Sequence, residues 1–182
     1  MKRVMAALLM CIAGTGVVQA QDAKPEALLY ISPVEYTHEV RLGLVPMYIV
    51  WTRKGPALEL TARRAFEGAF GRVGMCEGNN GADVIVWLQS ALSYNPTFST
   101  YYAQVTARFF RADGKAIGVV KGSGKYYGAM GSTMIEHSVQ GAYHQAMQSI
   151  AAQYTADATL QGKIDAALPK SPCALVALVP HL

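Results

Sequence analysis

Between residues 39 and 44 the chain alternates. Val40, Leu42 and Leu44 fall on one side, and Glu39, Arg41 and Gly43 on the other. A period of two predicts a half-buried strand. The apolar run 45–51 extends it, with Pro46 marking an edge position or a bulge. The period then changes. After Gly55-Pro56, with proline suited to a first helical turn, Leu58, Ala62, Ala65, Phe66 and Ala69 recur at helical spacing. Arg63, Arg64 and Glu67 take the other face, Glu59 and Arg63 form an i,i+4 pair, and Gly71 and Gly74 are expected to end the helix.

Residues 76–81, Cys-Glu-Gly-Asn-Asn-Gly, have the composition of a loop. Residues 84–88 are apolar on both faces and read as a central strand, and Asn95-Pro96 marks a turn. Alternation returns over 101–111: Tyr101, Ala103, Val105, Ala107 and Phe109 against Tyr102, Gln104, Thr106 and Arg108. Asp113-Gly114 signals a hairpin with a two-residue turn, positive φ at both positions, and residues 116–121 as the returning strand.

The glycine-rich stretch 122–131 reads as a flexible connection to a second long helix, 132–154. Ser132 or Thr133 can cap that helix, with Glu136 closing a capping box, and Ile135, Val139, Ala142, Ala146 and Ile150 form its core stripe. A short helix over 157–168, a break at 169–172 and an apolar tail at 174–179 follow, while 21–29 reads as a polar lead-in. The expected fold is α+β: an antiparallel sheet with two main helices packed on one face, in the order β-α-β-β-β-α plus a C-terminal tail.

Residues 1–20 have the three parts of a secretory leader. These are the cations Lys2 and Arg3, an apolar run over 4–18, and a small-residue cleavage site at Val18-Gln19-Ala20. The apolar run is shorter than the roughly 20 residues a membrane span needs. Lipidation at Cys11 is not expected, because Met10 stands where lipoprotein cleavage wants a small residue. The mature chain is then 21–182, one domain by length, with a core of about 30–154 and a C-terminal extension of 155–182. The expected location is the periplasm or the exterior, peripheral to the outer membrane.

Export changes the reading of charge and cysteine. The precursor is +4, and losing Lys2 and Arg3 leaves +2, with only 15% charged residues and no basic run. Nucleic acid is therefore not an expected partner. Cys76 and Cys173 remain, and an oxidising compartment predicts a bridge between them.

Candidate chemistry is sparse. The segment around Gly124-Lys125 fails as a phosphate loop, because Tyr126 stands where Ser or Thr must follow the lysine, and Gly118 is one position too early. It remains a candidate contact lip, with Tyr126, Tyr127 and Met130 as anchors. His137 and His144 are the candidate metal ligands, flanked by Met134 and Met147. Seven helical residues part them by about 10.5 Å, so no shared ion is expected, and no cofactor. No G-x-S-x-G occurs, Ser90, Ser93, Ser99 and Ser123 show no base in sequence, and Glu35, Glu39 and Asp83 are scattered. An enzyme is not expected. Of the aromatic pairs, Tyr102, Phe110 and Tyr127 are the outward set, a candidate partner surface.

The helix over 57–70, then Gly81-Ala82-Asp83 with the strand 84–88, the Ala112-Asp113-Gly114-Lys115 hairpin and the long last helix resemble a group of small Gram-negative envelope proteins. These are the YajG-type lipoproteins and the TolB N-terminal-like domain, and the resemblance spans about residues 40–154. It implies a non-enzymatic accessory role through contact with another envelope protein. This chain departs from the lipoproteins in lacking a lipobox. The alternative expectation is a secreted inhibitor or immunity-type protein that blocks an enzyme with a loop.

Overall fold

The computed structural model describes residues 24–43, 49–78, 80–130, 134–164 and 171–173. The leader, Cys11, Pro46, the Ser132 and Thr133 caps, the tail 174–179 and His181 lie outside the described residues.

The chain opens with strand β1 (Glu26–Tyr30), then α1 (Pro33–Thr37), β2 (Glu39–Leu42) and β3 (Val50–Arg53), and the long helix α2 (Lys54–Phe66). Next come β4 (Arg72–Met75), β5 (Gly81–Ala82), β6 (Val84–Asn95), β7 (Thr100–Arg111) and β8 (Ala116–Tyr127). Helices α3 (Ile135–Ala156) and α4 (Ala158–Gln161) and the short β9 (Ser171–Pro172) complete the described chain. The fold is α+β, but the main sheet is mixed, not antiparallel, in the order β4-β1-β6-β7-β8. β1 runs parallel to β4 and β6, whereas β6–β7 and β7–β8 are antiparallel. β2 and β3 form a separate hairpin, and β5 pairs with β9.

The five-residue segment Glu-Ala-Leu-Leu-Tyr that reads as a lead-in is a central strand. Ala27 and Leu29 join the core under the helices, while Leu28 and Tyr30 pack on the opposite side. A strand covered on both faces carries no alternation to announce it. The helix expected to run to Gly71 stops at Phe66, and Gly74 lies within β4.

The Asp113-Gly114 turn also differs from the two-residue form. Only Gly114 has positive φ, at 83°. Gly114 N–H donates to the Arg111 carbonyl and Arg111 N–H to the Lys115 carbonyl, which makes a three-residue turn closed by a glycine bulge. Asp113 fixes it. Its carboxylate accepts from the Arg111 guanidinium and from Lys115 N–H. Those two donors hold its pKa down at about 2.

Residues 122–127 belong to β8 and are not a flexible connection. Helix α3 lies so close to the strand that a Cβ at Gly122 or Gly124 would stand 2.2 Å from the Ala146 carbonyl oxygen or 2.1 Å from that of Ala142. With no side chains there, the helix seats directly on the strand. Helices α2 and α3 cover one face of the sheet, and Phe66, Phe70, Phe109 and Tyr154 meet between them. Tyr154 stacks on Phe109 at 5.2 Å and lies 4.8 Å from Phe70.

Burial pushes the Tyr154 hydroxyl up to about 12 and raises that of Tyr143 as well. An unfolded tyrosine ionises near 10.0 and so gives up its proton first. The stability carried by the neutral folded hydroxyl is full below that pH and is lost as pH rises towards 12. Phenolate absorbance from the buried rings and loss of helical circular dichroism are expected to move together in an alkaline titration. Ionisation of all tyrosines before any loss of helix would show these rings open to solvent.

Candidate functional site

Strand β6 outruns its partner. β1 stops pairing at Tyr30 opposite Trp87, and β6 continues to Asn95. At Ser90 two side chains take the place of the missing strand. Glu35 Oε1 accepts the Ser90 main-chain N–H at 2.5 Å, and Lys54 Nζ donates to the Ser90 carbonyl at 2.8 Å. Lys54 and Glu35 also pair with each other at 3.3 Å, and both are nearly buried. Ser90 Oγ lies 3.2 Å from the Tyr143 hydroxyl, whose pKa burial raises while the serine bond lowers it.

This serine does have a carboxylate, an ammonium and a phenol beside it, which sequence spacing alone did not show. The shortest bonds of the carboxylate and the ammonium go to Ser90 main chain, so the cluster anchors the α1–β3 insert onto the sheet. The other scattered carboxylates do not meet it. Glu39 pairs with Arg53, and Asp83 accepts from Glu26 N–H.

Beyond Ser90 lies the end of the sheet where β6 finishes and β7 begins. Strand directions bring the close of β8 and the start of α3 to the same end. Among the described residues eight large apolar side chains are exposed: Val34, Ile49, Trp51, Phe98, Tyr102, Val119, Tyr127 and Met134. Phe98, Tyr102, Tyr127 and Met134 belong to segments at or near this end, while Val34, Ile49 and Trp51 stand on the insert that Glu35 and Lys54 tie to Ser90. Tyr127 is 77% exposed and Trp51 58%. Tyr102 lies across from Lys125, and with Gln104, Ser123 and Gln145 they line a furrow of about 350 Å³ beside the rim.

The nominated contact residues divide. Tyr102 and Tyr127 are exposed. Tyr126 is not a free anchor, because its ring lies against Gly141 and its hydroxyl shares a 3.0 Å hydrogen bond with His137 Nε2. Met130 is half-buried against the core. Phe110 is buried beside Ile85 and Trp87 on the far face of the sheet, so pointing away from the helices did not make it exposed. Trp51, Phe98 and Met134 were missed. Alternation over β3 was a signal for Trp51, since Trp51 and Arg53 are exposed there and Val50 and Thr52 half-buried.

His137 and His144 are both exposed on α3, and His137 is engaged by Tyr126. No group of three or more metal-ligating residues occurs among the described residues. The predicted cysteines are joined, Cys76 to Cys173, with Cα atoms 5.4 Å apart. No described helix is long and apolar enough to cross a membrane.

No family model matches the chain, and no curated protein does. Among solved structures it is similar to protein XCC0632 from Xanthomonas campestris, of family DUF330. That match has 13% identity and a TM-score of 0.44, and covers 76% of this chain and 84% of the other. It is also similar to a candidate lipoprotein from Caulobacter crescentus, at 17% identity and a TM-score of 0.38, over 61% of this chain and 86% of the other. At that distance neither protein assigns a role to any residue here.

Proposed function

We propose that this chain is an exported, non-enzymatic envelope protein that works by binding another envelope protein through the apolar rim at the end of its sheet. The observation that carries this reading is the gathering there of four of the eight large exposed apolar side chains, Phe98, Tyr102, Tyr127 and Met134, with Val34, Ile49 and Trp51 exposed on the insert tied to Ser90 of β6. Scattered rings are ordinary on a surface, whereas rings gathered at one end form a patch of the kind partners cover. Trp51, Tyr102 and Tyr127 are residue types that anchor such contacts, with an apolar body and a polar tip. The Glu35–Lys54–Ser90 anchor supports it by fixing the hairpin that carries Trp51.

A photo-reactive residue at Trp51 or Tyr127, in cells exporting the full chain, is expected to capture an envelope protein. The same residue at Val119 is expected to capture none. The double substitution Trp51→Ala, Tyr127→Ala is expected to weaken that binding about ten- to a hundredfold, as loss of interface anchors does. Thermal stability should hardly move, because both rings are exposed. Equal capture at Val119, or adducts to lipid alone, overturns the reading. Capture of a single hydrolase would favour an inhibitor.

A further inference from the structure

Strands β6, β7 and β8 hold 12 residues each and not one Asp or Glu. Helix α3, which lies along β8, has no acid after Glu136. On β7 and β8 the register pairs Thr106 with Lys121, Gln104 with Ser123 and Tyr102 with Lys125. The residues between them, Tyr101, Ala103 and Val105, sit in the core under the helices, so these three rows face the other way. Lys121, Ser123, Lys125, Gln104 and Tyr102 are all exposed there. The furrow of about 350 Å³ runs across two of these rows. That is within the size range of small-molecule sites, roughly 300–1,000 Å³. Lys125 is the one charged residue among those described that line it. Gln145 reaches it from α3, and its Oε1 accepts Lys125 N–H at 3.3 Å, which turns its amide hydrogens away from that group.

We infer that this furrow binds an anionic glycan. A sugar ring lies against Tyr102, its hydroxyls bond to Gln104, Ser123 and Gln145, and its carboxylate pairs with Lys125. Lys121, about 13 Å down the strand, takes a further carboxylate of the same chain. Two observations choose this ligand. The rows offer hydroxyl and amide groups, which suit a hydroxyl-covered ligand, and Tyr102 supplies the amphipathic ring on which a sugar can rest. Beside that ring they offer no large apolar side chain, which the buried centre of a protein interface requires. The charge is also of one sign, with no acid on these strands to oppose it, so it draws an anion. The site stands beside the rim and holds whether or not the rim binds a protein.

The test titrates the full oxidised chain with an oligomannuronate, a sugar chain with a carboxylate on every ring, and follows backbone amides by NMR. Shifts centred on Tyr102, Gln104, Ser123 and Gln145 are the expected result. A neutral oligomannose of the same length should bind about three- to tenfold more weakly, the loss of two exposed ion pairs. The double variant Lys121→Gln, Lys125→Gln should lose the same factor towards the oligomannuronate and unfold in urea as its parent does. Raised salt should erase the difference between the two sugars. Tyr102→Ala should weaken both sugars alike. Equal binding of the charged and neutral sugars overturns the inference. So do polyglutamate binding as tightly as the oligomannuronate, binding to anionic phospholipid vesicles alone, shifts confined to other faces, or no binding.

Discussion

Replacing Gly124 with alanine is expected to destabilise the protein by about 3 kcal/mol or more, the scale of severe overpacking. The added Cβ would stand 2.1 Å from the Ala142 carbonyl oxygen, 2.7 Å from Ala146 N and 2.8 Å from Gln145 Cβ. Two of those neighbours are helix main chain, which has no rotamer to change. The helix must lift, and Val139, Ala146 and Ile150 lift with it from the core. Gly122→Ala meets the same helix one turn on, 2.2 Å from the Ala146 carbonyl oxygen. At roughly 2–4 °C per kcal/mol for a chain of this size, each variant should melt about 10 °C lower. Gly68→Ala is the control, because nothing lies within 4 Å of its added Cβ. It should be neutral or slightly stabilising. A Gly124→Ala variant within about 0.5 kcal/mol of the parent in urea unfolding would show that α3 does not rest on bare strand.

Those glycines also mark where sequence reasoning stopped. Period and composition were enough for α2, for β7 and for α3, where Leu58, Ala62 and Phe66, or Val139, Ala142, Ala146 and Ile150, repeat as an amphipathic stripe. Glycine ordinarily punctuates a chain, so Gly122 and Gly124 suggested a loop. Their reason is a helix more than ten residues away in sequence, which no local pattern encodes. β1 failed for a related cause. Its neighbours β4 and β6 lie 46 and 57 residues on, by the pairs Glu26–Arg72 and Ala27–Val84, and parallel pairing leaves no turn signal. The antiparallel expectation followed from reading only the strands that turns connect.

The site was legible to the same degree. Alternation placed Tyr102 outward because β7 is regular there, and exposure followed. Phe110 shares that outward side, but it reaches a part of the face already covered. Ser90 looked like an unaccompanied serine because its partners, Glu35, Lys54 and Tyr143, come from three different elements. Only the early end of pairing by β1 brings them together.

Removing the Cys76–Cys173 bridge is expected to be the costliest single covalent change. The bridge links residues 97 apart, and closing a loop of about 100 residues restricts the unfolded chain by roughly 4–5 kcal/mol in the chain-entropy account. That is comparable to the whole stability of a modest domain. In the native state the bridge also holds what little else could. β9 pairs with β5 over two residues, Gly81 with Pro172 and Ala82 with Ser171. A two-residue ladder does not sustain itself in water. The double variant Cys76→Ser, Cys173→Ser avoids a stray thiol and should unfold at clearly lower urea. Its dependence on urea should be steeper, because an unfolded chain without the cross-link exposes more surface. Mass mapping without reductant should find the two cysteine peptides joined in exported protein. Two free thiols, or a double variant as stable as its parent, would remove the bridge as the support of the C-terminal segment and return Cys76 to consideration as a reactive thiol.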